Sequence, residues 1–244
     1  MTTKGVWDLQ EVRDKLLAGD DWENIKSLYA WGQNNYGALG QNDRTDLSSP
    51  VQLPGTWSVD GTAMGFGGEN IASGVKSDGT LWVWGYNGDG GQLGLNAPLP
   101  SHKSSPTQLP GTTWKKNVIS GYAMNATKTD GTLWSWGYNG GGFLGLNDQI
   151  KRSSPTQIPG TTWSDIPHVA NQSIVANKTD GSFWTWGYNK SGQLGLNQSV
   201  PTNLSSPIQL PGTTWSTDHT KWGGGMDFKS TIKTDGTLWA WGMR

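Results

Sequence analysis

Tyrosine followed by asparagine occurs three times at matching places, Tyr86-Asn87, Tyr138-Asn139 and Tyr188-Asn189, with Gln33-Asn34 in a fourth. An exposed aromatic ring beside an amide is the chemistry of glycan recognition: the ring stacks on a sugar face and the amide reads hydroxyls. Repetition would multiply a weak contact on a polyvalent surface. The same pair also has an architectural use, with tyrosine packed over a strand end and asparagine turning the chain in the left-handed conformation it tolerates. Other chemically able residues are sparse. His102, His168 and His219 stand far apart without metal-ligand spacing. Asp78, Asp130, Asp180 and Asp235 recur at equivalent places, each before a glycine, where a tight turn accounts for them without catalysis. No serine-nucleophile elbow, phosphate loop or dinucleotide fingerprint occurs in its required context. The Gly-rich segments lead to Ser-Ser-Pro instead of a helix, so a helix dipole is not available to phosphate. Asn87, Asp89, Asn96, Asn147, Asp148 and Asn197 lack the clustered carboxylates of a strong calcium site. The expectation is a protein with no catalytic centre, no cofactor and no metal.

The elements that position these residues repeat. The phrase T-D-G-T-L-W-x-W-G appears, with small changes, at 77–85, 129–137, 179–187 and 234–242, and a stripped copy occupies 28–32. The Trp-Gly pairs begin at 31, 84, 136, 186 and 241, at steps of 53, 52, 50 and 55 residues. Self-similarity at this period specifies a propeller or a solenoid. In the third copy, Ser153–Gly160 reads as a proline-bounded first strand, Thr161–Ile166 as a second and Ser173–Lys178 as a third. Asp180-Gly181 then reads as a two-residue type I′ turn into a fourth strand, Ser182–Trp186. Alternation puts Trp184 and Trp186 on one face, as it does Trp82/Trp84, Trp134/Trp136 and Trp239/Trp241. These rings are how a chain only 33% hydrophobic assembles a core. After each Trp-Gly comes a Gly/Asn loop, in which Leu93, Leu144 and Leu194 are placed to tuck back onto the sheet.

The run D-G-x-[LF]-W-x-W-G-x-N-x-x-G-[QF]-L-G-L-N followed by S-S-P-x-Q resembles the regulator-of-chromosome-condensation repeat family over residues 28 to 242. The resemblance implies an all-β fold: a β-propeller, here of about four blades, each a four-stranded antiparallel sheet. Family repeats often carry a histidine seven residues before the turn aspartate; the matching positions hold Ile71, Ala123, Ser173 and Phe228. The founding members have seven blades, and this chain has four periods. The nucleotide-exchange activity of those members is therefore not expected. The ends pose a question, because Leu28–Gly32 and Leu238–Gly242 are the same strand type and a closed four-blade ring needs only one of them. A five-blade ring with one incomplete blade, or an open arc completed by another subunit, are the alternatives.

Residues 1–27 differ from the repeat domain, 28–244. Asp8-Leu9-Gln10-Glu11 fits a capping box, Leu9, Val12 and Leu16 share a helical face with Leu17 adjacent, and Gly19 suits a stop. A short N-terminal helix over about 9 to 18 is predicted, either capping the propeller or docking through Trp7, Leu9, Val12, Leu16 and Leu17 to a larger assembly. Residues 5–15 also resemble the start of structural proteins of tailed bacteriophages. With net charge −1 and basic residues scattered, no duplex nucleic-acid footprint is present. No apolar stretch approaches the ~18 residues that span a bilayer, and no signal peptide is visible. Cysteine is absent, which excludes disulfides and thiolate metal sites.

The reading that follows is a non-enzymatic virion structural protein, a capsid or tail decoration of a tailed phage. It would bind other virion proteins through its N-terminal segment and display the propeller outward, to host-surface glycans if it adheres. It needs no nucleic acid and no membrane insertion, and a homo-oligomer is compatible with it. The alternatives are a cellular protein-binding or inhibitory propeller, with one dominant face carrying aromatic hot spots, and a soluble lectin.

Overall fold

The computed structural model describes residues 28–57, 64–67, 70–170, 172–197 and 202–243. The predicted N-terminal helix, with Trp7, Leu9, Val12, Leu16 and Leu17, lies outside the described residues, as does the boundary at 27.

The chain forms antiparallel sheets laid down in sequence order. A two-stranded sheet joins β1 (Leu28–Gly32) to β2 (Leu47–Leu53). Three four-stranded sheets follow. The first is β3 (Met64–Gly67), β4 (Ile71–Val75), β5 (Leu81–Gly85) and β6 (Lys103–Gln108). The second is β7 (Trp114–Ser120), β8 (Ala123–Lys128), β9 (Leu133–Gly137) and β10 (Arg152–Ile158). The third is β11 (Trp163–Ala170), β12 (Ser173–Lys178), β13 (Phe183–Gly187) and β14 (Leu204–Gln209). A three-stranded sheet of β15 (Trp222–Gly224), β16 (Phe228–Ile232) and β17 (Leu238–Gly242) comes last. These are three complete blades flanked by two partial ones, in agreement with a propeller of about four blades. Helical content among the described residues is one 3-10 turn, His219–Lys221.

The blade begins elsewhere in the repeat than the sequence suggests. The Ser-Ser-Pro strand does not open a unit; it closes one, pairing with the Trp-x-Trp-Gly strand before it, as Gln157 opposite Trp134 and Gln209 opposite Trp184 show. Tandem periodicity gives the length of a unit and leaves its starting point free. Proline supports the observed phase, since Pro50, Pro106, Pro155 and Pro207 all lie on the outermost strands, where a missing N–H costs no ladder bond.

The Asp-Gly turns also differ from expectation. A type I′ turn needs positive φ at both central residues, but only the glycine has it, at +81° for Gly181. The Gly181 N–H donates to Lys178 O at 3.0 Å, and the Lys178 N–H donates to Ser182 O at 2.9 Å. This is a type I turn closed by a left-handed glycine, a G1 bulge. Asp180 keeps an ordinary φ because its carboxylate is engaged: Oδ1 accepts from Ser182 Oγ at 2.6 Å and from the Ser182 N–H at 2.9 Å.

Packing between blades builds the core. The second tryptophan of each pair is fully buried in the complete blades, as Trp84, Trp136 and Trp186. Each lies on the Leu-Gly turn of the preceding blade's loop: Trp84 Nε1 donates to Ala38 O at 2.8 Å and Trp186 Nε1 to Phe143 O at 3.1 Å. The contact requires glycine in that loop, since at Gly94 (φ +68°) a Cβ would come within 2.6 Å of Trp136 Nε1. In the same complete blades the first tryptophan of the pair is half-buried and closes a local stack. Lys128 Nζ lies 4.5 Å from the Trp114 ring centre and 4.2 Å from that of Trp134, whose Nε1 donates to Thr132 Oγ1 at 2.8 Å. Lys76, Lys178 and Lys233 repeat this cation–π clamp in their own blades.

Candidate interaction surface

The Gly/Asn loops carry the candidate residues, and their construction decides what they present. Leu93, Leu144 and Leu194 are fully buried and anchor each loop, as expected. Asn87, Asn139 and Asn189 are buried as well. The Asn139 side chain donates to Asp148 O, Asp148 Oδ1 and Ile150 O, each at 3.1 Å, and its Oδ1 accepts the Leu144 N–H at 3.0 Å. Asn87 Oδ1 takes the Leu93 N–H at 3.0 Å and its Nδ2 donates to Ser101 Oγ at 2.9 Å, while Asn189 Oδ1 takes the Leu194 N–H at 3.0 Å. The amides act as internal braces that satisfy loop backbone groups. They are spent inside the loop, so the amide half of the glycan-reading pair is not at the surface. Left-handed conformations fall elsewhere in the loops, at Asn96, Asn147 and Asn197.

The tyrosines behave differently. Tyr86 and Tyr188 are half-exposed and Tyr138 is exposed. Tyr86 and Tyr138 join a line of rings that crosses three consecutive sheets. Tyr36 meets Tyr86 edge-on at 5.0 Å, Tyr86 meets Tyr122 at 6.2 Å, and Tyr122 meets Tyr138 at 6.5 Å. His102 stacks on Tyr86 at 5.0 Å. The Asn87 N–H donates to His102 Nδ1 at 2.9 Å, which places the ring proton on Nε2. Burial, with Arg44 nearby, holds the His102 pKa below the usual histidine value and keeps the ring neutral and stackable. Tyr188 stands apart from this line, with Lys190 Nζ 5.8 Å from its ring centre.

Sequence reasoning missed Tyr36, His102 and Tyr122 because they are not repeated. Tyr122 precedes a strand, and the matching places in other copies hold no tyrosine.

The recurring aspartates are turn residues. Asp78, Asp130, Asp180 and Asp235 have pKa values below the usual carboxylate range, first because the following Thr or Ser hydroxyl donates to them, then through the backbone N–H of that same residue. Among the described residues, no group of three or more His, Cys, Asp or Glu side chains is placed to hold a metal ion. His168 and His219 lie on β11 and the 3-10 turn, away from the aromatic line. His168 is largely buried, and desolvation followed by the Lys229 charge drives its pKa down to about 4.

Taken together, these features describe a β-propeller that offers a surface of half-exposed rings on rigid loops. More specifically, the chain belongs to the regulator of chromosome condensation (RCC1) repeat family, whose model matches residues 27–68, 130–170 and 180–218, half of the chain. It is 30% identical over 126 residues to the ultraviolet-B receptor UVR8 of Arabidopsis thaliana, covering 51% of this chain and 28% of that protein. It is 27% identical over 129 residues to the mitochondrial RCC1 domain-containing protein RUG3 of the same plant, covering 50% and 29%. Among solved structures, yeast RCC1 (Prp20) bound to Kap60 superposes with a TM-score of 0.71 at 18% identity, over 89% of this chain and 52% of that one. Human WBSCR16 gives 0.69 at 22% identity, over 86% and 54%. The chain thus spans under a third of these curated relatives and about half of these solved propellers.

Proposed function

We propose that this protein is a non-enzymatic, protein-binding propeller whose contact surface is the aromatic line Tyr36, Tyr86, Tyr122 and Tyr138. One observation carries the reading: four tyrosines from three consecutive sheets stand ring to ring at 5.0 to 6.5 Å, ending on an exposed Tyr138. Tyrosine supplies large contact area with little rotamer entropy to lose, and interface hot spots are enriched in it. Binding between proteins is also a property of a relative by fold, since yeast Prp20p is described with binding properties to Gsp1p and histones. The protein-binding reading, the alternative at the level of sequence, therefore takes first place over virion decoration. The virion reading rests on residues 5 to 18, outside the described residues.

Affinity capture with the chain and with a Tyr86→Ser/Tyr138→Ser variant, followed by mass spectrometry, tests this. A protein retained by the first and lost from the second, with unchanged circular dichroism, is the expected result. Equal capture by both would remove the aromatic line from the interface. Binding of the chain to a glycan array, abolished by the same variant, would return the rings to carbohydrate recognition.

A further inference from the structure

The seam between the second and third complete blades is bridged at two points and polar between them. On β7, Lys116 Nζ reaches Asp165 Oδ1 of the third blade at 2.6 Å. At the far end of the same strand, Ser120 Oγ accepts the Gln172 N–H at 2.9 Å. Strand pairing sets three polar side chains beside this strand. Thr127 lies opposite Lys116, Asn125 opposite Val118, and Ala123 opposite Ser120. Ser135 lies opposite Asn125, so alternation puts Asn125, Thr127 and Ser135 on one face of the sheet. That face looks toward the third blade, because Leu133, opposite Thr127, packs with Ile166, Ile174, Ala176 and Trp186.

All three side chains are fully buried. Among the described residues, Asn125 Nδ2 and Oδ1, Thr127 Oγ1 and Ser135 Oγ find no hydrogen-bond partner. The seam between the first and second complete blades meets the same need within the protein. There Asn117 Nδ2 donates to Ser73 Oγ, and Ser73 holds the place of Asn125. Asn117 stands three residues after Trp114; three residues after Trp163 the third blade has Ile166, whose side chain offers no polar atom. The places of Thr127 and Ser135 hold Val75 and Val83 in the first blade, and the place of Asn125 holds Val175 in the third. The second blade is thus polar at all three. A buried donor or acceptor left unpaired costs more than an ordinary hydrogen bond contributes, so these atoms require a partner.

We infer that Asn125, Thr127 and Ser135 hold an internal water between the second and third complete blades. The class of ligand follows from the atoms that face it. They are neutral, and they comprise one donor, one acceptor and two hydroxyls that serve as either. An anion would be opposed by Asn125 Oδ1 and a cation by Asn125 Nδ2, whereas water meets both. The Lys116 charge is already matched by Asp165. Space comes from Ser135, which is smaller by one methyl-sized group than Val83 and Thr185 at the matching places. A water occupies ~30 Å³ in the liquid, about the volume of that group, and a buried one makes typically about three hydrogen bonds.

An X-ray structure of the chain, at a resolution that shows ordered solvent, tests this. The expected result is a water within hydrogen-bond distance of the Asn125 amide and of the Ser135 or Thr127 hydroxyl. Oxygen-17 relaxation dispersion of the solvent gives a second readout, since it counts waters held for longer than nanoseconds. An Asn125→Val/Thr127→Val/Ser135→Val variant installs the residue type found at Val175, Val75 and Val83 and removes every group the water bonds. With unchanged circular dichroism it should lose one long-lived water relative to the parent. Two results overturn the inference. One is a parent structure in which Asn125 bonds directly to Ser135, Thr127 or the third blade with no water between. The other is an equal count of long-lived waters in parent and folded variant. If the variant does not fold, the parent structure decides the question by itself.

Discussion

Replacing Lys229 by methionine should stabilise this protein, and the gain should depend on pH. Lys229 lies opposite Trp241 on β16, at the place filled by Ala72, Met124 and Ile174 in the complete blades. It is fully buried, and its Nζ hydrogen-bonds Ser173 Oγ. Desolvation lowers its pKa from 10.5 to about 7. The unfolded chain holds this proton up to pH 10.5, so between pH 7 and 10.5 unfolding takes up a proton and folded-state stability rises with pH. Below pH 7 the folded state bears the whole cost of a buried ammonium, about 5 kcal/mol at 1.36 kcal/mol per pH unit. Methionine removes that cost and keeps the volume, at a loss of about 1 to 3 kcal/mol for the bond to Ser173. The expected net gain is therefore about 2 to 4 kcal/mol at pH 7, shrinking and then reversing toward pH 10. Urea denaturation of both proteins at pH 7, 8.5 and 10 reads it, a range that avoids His168, whose depressed pKa acts only in acid. A difference that stays constant across the three pH values would refute the argument. So would a variant less stable than the parent at pH 7.

Leu144→Ala should cost about 3 kcal/mol in urea denaturation, because the fully buried side chain is what ties its loop to the sheet. Gly94→Ala should lower the melting temperature more than Gly192→Ala. Both have positive φ, but a Cβ at 94 strikes Trp136 whereas nothing lies within 4 Å of one at 192. Asn139→Ala should destabilise by about 3 kcal/mol, since it orphans the Leu144 N–H and the carbonyls of Asp148 and Ile150; the exposed Tyr138→Ala should leave stability nearly unchanged. Thr132→Val should raise the Asp130 carboxyl toward its ordinary 3.8, as followed by NMR titration, because the Thr132 hydroxyl is the first cause of its lowered pKa.

Much of the fold was legible because it is local and repeated. The strand Ser173–Lys178 coincides with its prediction, and the shared face of each Trp-x-Trp pair is visible where Trp114 contacts both Trp134 and Trp136. Blade phase was not legible, because a tandem pattern is unchanged when its starting point moves, and only strand pairing reveals that Gln157 faces Trp134. The turn was misread for a related reason: Asp-Gly fits two hairpin geometries, and the choice was made by the Ser182 hydroxyl and N–H bonding back to Asp180. The surface was half legible. Repetition marked Tyr86 and Tyr138, but Tyr36, Tyr122 and His102 occur once each and come together only when successive sheets pack.

The sequence by itself determined the period, the strand types and the residues that must be buried, since hydrophobic alternation and turn chemistry act within a few residues. Tertiary structure alone decided which way each tyrosine and asparagine of the loops faces. An amide that bonds three loop carbonyl or carboxylate oxygens and one N–H goes inside, because a buried backbone group left unpaired costs more than an amide withdrawn from water.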